Sequence, residues 1–87
     1  MFYGYVKLED ETQFTYSELR DDHTVLVCVE RPVDMGFDSA ECLLPAFRWN
    51  NVKGFSEADL AWLDAFVRNN APLIMRFARE KSRVAYA

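Results

Sequence analysis

At 87 residues the chain has room for one domain and no second core. Its composition is 51% hydrophobic and 28% charged with a net charge of only -4, which excludes a wholly disordered chain and supplies apolar material for packing. The charge is polarised: residues 1–59 hold 12 acids against 5 bases, and residues 60–87 hold 2 acids against 5 bases. Such asymmetry bears on partners more than on fold.

Two cysteines, Cys28 and Cys42, are too few for a small secreted disulfide scaffold, so a reducing, cytoplasmic setting is expected. The stretch Met1–Tyr5 has neither a basic lead nor an apolar h-region, so it does not read as a signal peptide. No apolar run approaches the ~20 residues of a membrane helix, and no membrane association is expected.

The first half reads with a period of two. Phe2, Gly4, Val6 and Leu8 alternate with Tyr3, Tyr5 and Lys7, as in a strand with one buried face. Glu9-Asp10-Glu11 makes a polar turn, and Thr12–Tyr16 returns with Phe14 and Tyr16 on one side. After the turn Arg20–His23, the stretch Thr24–Glu30 is the clearest strand. Val25, Val27 and Val29 share one face while Leu26 and Cys28 share the other, which predicts a central strand covered at least in part on both sides. Pro32 and Gly36 break the run, and Phe37–Leu44 forms a fourth strand with Ala40, Cys42 and Leu44 on one face. A loop centred near Met35 would set Cys28 beside Cys42. Pro45 ends that strand, and Phe47–Trp49 is a short extra strand before an Asn50-Asn51 turn.

The period then becomes helical. Ser56 is a good N-cap, with Asp59 placed for a capping box and Phe55 and Leu60 for a hydrophobic staple. Trp62, Leu63, Phe66 and Val67 form one apolar stripe, and Leu73, Ile74, Phe77 and Ala78 a second. Pro72 either starts a second helix or kinks a single one. The grouping of strands before helices predicts an α+β domain spanning 1–87. Its antiparallel sheet of about four strands (1–49) is followed by two C-terminal helices, or one kinked helix (55–83), packed on one face.

Catalytic signatures are weak. His23 is the sole histidine and sits in a turn beside Asp21 and Asp22, where an exposed side chain explains it better than a triad. Cys28 and Cys42 lack a Cys-x-x-Cys motif and the further ligands that zinc requires, so small buried thiols are favoured over a redox pair. Asp34, Asp38 and Glu41 miss the calcium-loop spacing, and on a strand Asp38 and Glu41 point to opposite faces. Gly4, Gly36 and Gly54 are too dispersed for a phosphate-binding loop. No cofactor or metal is expected.

Two surface features remain. Arg76, Arg79, Lys81 and Arg83 form a basic segment that suits either an acidic partner or a helix C-terminus. Tyr3, Tyr5, Trp49 and Trp62 are more aromatic surface than so small a domain needs. With the helices on one face, Tyr3 and Tyr5 on the other would form an open aromatic patch, and such patches concentrate binding energy. Tyr3, Tyr5, Trp49, Arg76 and Arg79 are therefore the candidate interaction residues.

The segment Phe66-Val67-Arg68-Asn69-Asn70-Ala71-Pro72-Leu73-Ile74-Met75-Arg76-Phe77-Ala78-Arg79-Glu80 resembles the C-terminal helices of small uncharacterised bacterial proteins, some coded on mobile elements beside toxin–antitoxin genes. That resemblance implies a bacterial or phage accessory protein and carries over no site residues. The expected function is a non-catalytic protein-interaction or regulatory module, acting as a homodimer or as an inhibitor- or antitoxin-like partner of another protein. Nucleic-acid binding through the basic helix end is the alternative, and a small hydrolase or metal enzyme around His23 comes third.

Overall fold

A computed structural model describes residues 1–86 as a five-stranded sheet followed by one long helix. The strands are β1 (Phe2–Lys7), β2 (Gln13–Ser17), β3 (Val25–Val33), β4 (Gly36–Leu44) and β5 (Arg48–Lys53), and the helix is α1 (Glu57–Tyr86). Every neighbouring pair is antiparallel and the spatial order follows the chain order, a meander. This is the expected α+β arrangement, with β5 a full strand and the helical segment continuous. Side chains beyond residue 82 fall outside the described part, Arg83 of the basic segment among them. Among the described residues no helix is long and apolar enough to cross a membrane.

The core lies between one face of the sheet and α1. Phe14 and Tyr16 of β2, Val25, Val27 and Val29 of β3, and Ala40, Cys42 and Leu44 of β4 are buried there. They meet Leu63, Val67, Ala71, Ile74 and Ala78, which repeat every three or four residues and so form one stripe along the helix. A 30-residue helix is about 45 Å long, close to the 42 Å longest dimension of the molecule. It therefore crosses the whole sheet. Pro72 lies inside it on the exposed side, so one helix replaces the expected alternative of two. Its far end is tied down where Leu19 N–H donates to the Ala78 carbonyl (3.2 Å) and Ser82 Oγ donates to the Leu19 carbonyl (2.8 Å).

Three expectations are corrected by register. The β3–β4 hairpin turns on Asp34-Met35, which sets Val27 opposite Cys42 and Cys28 opposite Glu41. Because side chains alternate across a sheet, this one-residue slip places the thiols on opposite faces and they are not neighbours. In β1, the register shifts between Gly4 and Val6, so Tyr3 pairs with Tyr16 and Val6 with Phe14. The extra residue of that bulge brings Tyr3 and Val6, which strict alternation would separate, onto the helix side. A second shift, opposite Ser39–Glu41, accommodates Asn51 in a left-handed conformation (φ 52°), so the expected Asn50-Asn51 turn is a bulge inside β5.

Candidate functional site

A concave feature forms where the N-terminal end of α1 meets the β1–β2 turn. The helix begins with a reciprocal cap. Ser56 N–H donates to Asp59 Oδ2 and Asp59 N–H donates to Ser56 Oγ, both at 3.1 Å. Phe55, just before the cap, is buried, and Leu60 packs against the same core. Arg31 reaches over the Phe55 ring (4.8 Å to its centroid) and joins Asp38 of β4 at 2.6 Å and Asp59 of α1 at 3.3 Å. Gly54 makes this possible. Its φ is 87°, and a Cβ there would overlap the Asp38 carboxylate.

Opposite this cluster stands the β1–β2 turn. Leu8 N–H donates to the Thr12 carbonyl (2.8 Å), Glu11 N–H to the Leu8 carbonyl (2.9 Å), and Thr12 N–H to Asp10 Oδ1 (3.0 Å). Between turn and helix lies a cleft of about 510 Å³, within the size range of binding pockets. Leu8, Phe55, Leu63 and Phe66 give it an apolar lining, and Trp62 stands at its mouth. Trp62 is 53% exposed, and its indole stacks on Phe66 with centroids 5.4 Å apart. Phe66 in turn stacks on the fully buried Phe14 at 4.6 Å. An aromatic ladder thus runs from the core to solvent.

Three charged groups around the cleft, Asp10, Asp59 and Arg31, are held by bonds within the protein. The Thr12 side chain, then its backbone N–H, hold the Asp10 carboxyl below its ordinary range. The backbone N–H of Ser56 does the same for Asp59, and the carboxylate of Asp38 raises the already basic Arg31. An acid–base catalyst at neutral pH needs shifts in the other direction for a carboxyl. Among the described residues no group of three His, Cys, Asp or Glu side chains could hold a metal ion.

The residues singled out from sequence fall elsewhere. Tyr3 packs on Tyr16 (5.7 Å between centroids) with Lys81 over its ring at 4.8 Å. Tyr5 donates its hydroxyl to Asn70 Oδ1 and contacts Phe77. Trp49, opposite Cys42 in the ladder, donates Nε1–H to Asp64 Oδ1 at 2.9 Å. All three face α1, so the expected open patch of Tyr3 and Tyr5 does not form; their surface joins sheet to helix. Arg76 and Arg79 are exposed, and Arg76 Nε lies 3.3 Å from Glu80 Oε1. His23 is an exposed turn residue with φ 64°.

Conversely, Trp62 and Leu73, assigned to the apolar stripes, are 53% and 41% exposed. The signal was present in the spacing. Leu63, Val67, Ala71, Ile74 and Ala78 already complete one helical stripe, leaving Trp62 on the side of Ala58, Ala61 and Ala65. The open sheet face carries a second groove of about 440 Å³ around Phe2, Thr15, Cys28 and Glu41. Burial pushes the Cys28 thiol up to about 11, so it does not present a reactive thiolate there. Comparison with known proteins finds no matching family model, no similar curated protein and no similar solved structure.

Proposed function

We propose that this chain is a non-catalytic protein-interaction module that recognises its partner through the cleft beside α1. The observation that carries the reading is Trp62: a large aromatic side chain held half in water at the mouth of an apolar cleft. A buried-to-exposed ladder of Phe14, Phe66 and Trp62 fixes its orientation before any partner arrives. Pre-organised aromatic anchors of this kind lose little entropy on binding and dominate interface energies. An inhibitor- or antitoxin-like accessory role, as the likeness of residues 66–80 implies, is one biological form of such a module. A reducing compartment suits its two thiols.

The test is recovery of partners from a lysate of the source organism on wild-type and Trp62→Ala chains, followed by titration of each identified partner. A partner that binds the wild type and not the variant supports the reading. Partners that bind both equally contradict it.

Self-association along α1 is a second reading, favoured by Leu73 lying exposed on the same outer helix face as Trp62. Light scattering of the wild type and of Leu73→Asp separates the two. A dimer that the aspartate dissolves supports self-association, and a monomer in both cases removes it.

A further inference from the structure

The chemistry of the cleft's occupant can be read from its walls. Its ionisable side chains are three acids, Glu9, Asp10 and Asp59, and one base, Arg31. The base is already compensated by Asp38 and Asp59 within the protein. Glu9 and Asp10 stand exposed on the opposite wall. The rim is therefore anionic, within a portion of the chain that carries 12 acids and 5 bases over residues 1–59. Phosphate-bearing ligands are repelled from such a rim, and cations are drawn to it. The exposed indole adds a π face, which attracts guanidinium and ammonium groups. Trp62 lines the cleft but also rises on the outer side of α1 beside Ala58, Ala61 and Ala65, so a ligand that covers its exposed face extends beyond the cleft along the helix. A length of polypeptide does this, whereas a compact metabolite would fill the cleft alone.

From charge complementarity and this shape we propose that the cleft takes an extended or helical segment of a partner protein, with an aliphatic or aromatic anchor flanked by lysine or arginine. The anchor enters between Leu8, Leu63 and Phe66, and the basic flank lies against Glu9 and Asp10. The proposal rests on the interaction reading above and specifies its partner's chemistry.

A displayed library of random peptides selected on the intact chain, with Trp62→Ala as the counter-selection, tests both levels separately. The expected clones depend on Trp62 and pair a Leu, Phe or Trp with adjacent Lys or Arg. A synthetic peptide of the leading sequence should bind about fivefold more weakly to the Glu9→Gln, Asp10→Asn double variant, as two exposed charge contacts allow, and should weaken with added salt. Trp62-dependent clones with acidic or neutral flanks would overturn the basic-segment proposal and leave the interaction reading standing. Clones indifferent to Trp62, or no clones, would remove both.

Discussion

Replacing Trp49 with phenylalanine isolates one joint between sheet and helix. In the native chain the indole N–H donates to Asp64 Oδ1 (2.9 Å), and Asp64 Oδ2 accepts from Arg68 Nε (2.7 Å). The Arg68 guanidinium lies over the Phe47 ring at 4.3 Å, so the joint runs from β5 to α1 and back to the chain just before β5. Hydrogen bonds to charged groups are worth about 1.5–3 kcal/mol, and the 31% exposure of the Asp64 side chain places this one at the lower end. Phenylalanine keeps most of the apolar contact, so Trp49→Phe should cost about 1.5–2 kcal/mol. That loss lowers Tm by roughly 6–16 °C in a domain of this size.

The pH dependence separates this hydrogen bond from simple packing. The bond from Trp49, then that from Arg68, hold the Asp64 carboxyl below its ordinary value. A depressed folded-state pKa stabilises above the unfolded value near 4 and loses that contribution as pH falls through the folded value. Urea unfolding followed by far-UV circular dichroism should therefore show the full difference between wild type and Trp49→Phe at pH 7 and a smaller one below pH ~3. A difference that stays constant across this range, or that is absent at pH 7, would refute the role given to the hydrogen bond.

Further expectations concern the cap, the glycine and the thiols. Ser56→Ala removes one half of the reciprocal cap and should cost about 1 kcal/mol in urea unfolding at pH 7. Because Asp59 is held low chiefly by the backbone of Ser56, its share of the stability lies above the ordinary carboxylate range and disappears in stronger acid, as a pH series of melting curves will show. Gly54→Ala should cost more than about 2 kcal/mol, since it combines left-handed strain with a clash at Asp38, whereas Gly36→Ala, with open space around its Cβ, should cost much less. Burial pushes Cys28 to about 11 and Cys42 to about 12, so in native protein at pH 8 both should react with a thiol reagent far more slowly than in urea. Mild oxidation should leave no bond between them within one chain, because they lie on opposite sheet faces.

The fold class was legible because its signals are local. Alternation around Val25, Val27 and Val29 marks a strand, and Ser56 with Asp59 marks a helix start; the observed cap uses those two residues. What could not be read was parity. One extra residue in β1 moves Tyr3 onto the helix side, and a single step of register separates Cys28 from Cys42. Bulges leave no mark in a period-two pattern, and both errors propagate to every side chain beyond them. The candidate site suffered accordingly. Tyr3, Tyr5 and Trp49 bear on the sheet–helix joint, while Trp62 was absorbed into a stripe that Leu63 and Val67 already complete. The cleft itself joins residues 8–12, 31 and 55–66, a convergence that only the folded meander brings about.

In the proposed function, recognition lies at the cleft and not on the open sheet face. The most direct measurement compares Trp62→Ala with Phe2→Ala, whose parent side chains are similarly exposed at 53% and 48% but stand on opposite faces. Affinity for a partner identified with the wild-type chain should fall at least roughly 30-fold in Trp62→Ala, a hot-spot loss of about 2 kcal/mol. The chain should still unfold cooperatively there, with the lost stacking on Phe66 contributing about 0.5–1.5 kcal/mol of destabilisation beyond the lost apolar burial. Phe2→Ala should bind as the wild type does. Undiminished binding by Trp62→Ala, with binding lost in Phe2→Ala, would place recognition on the open sheet face instead.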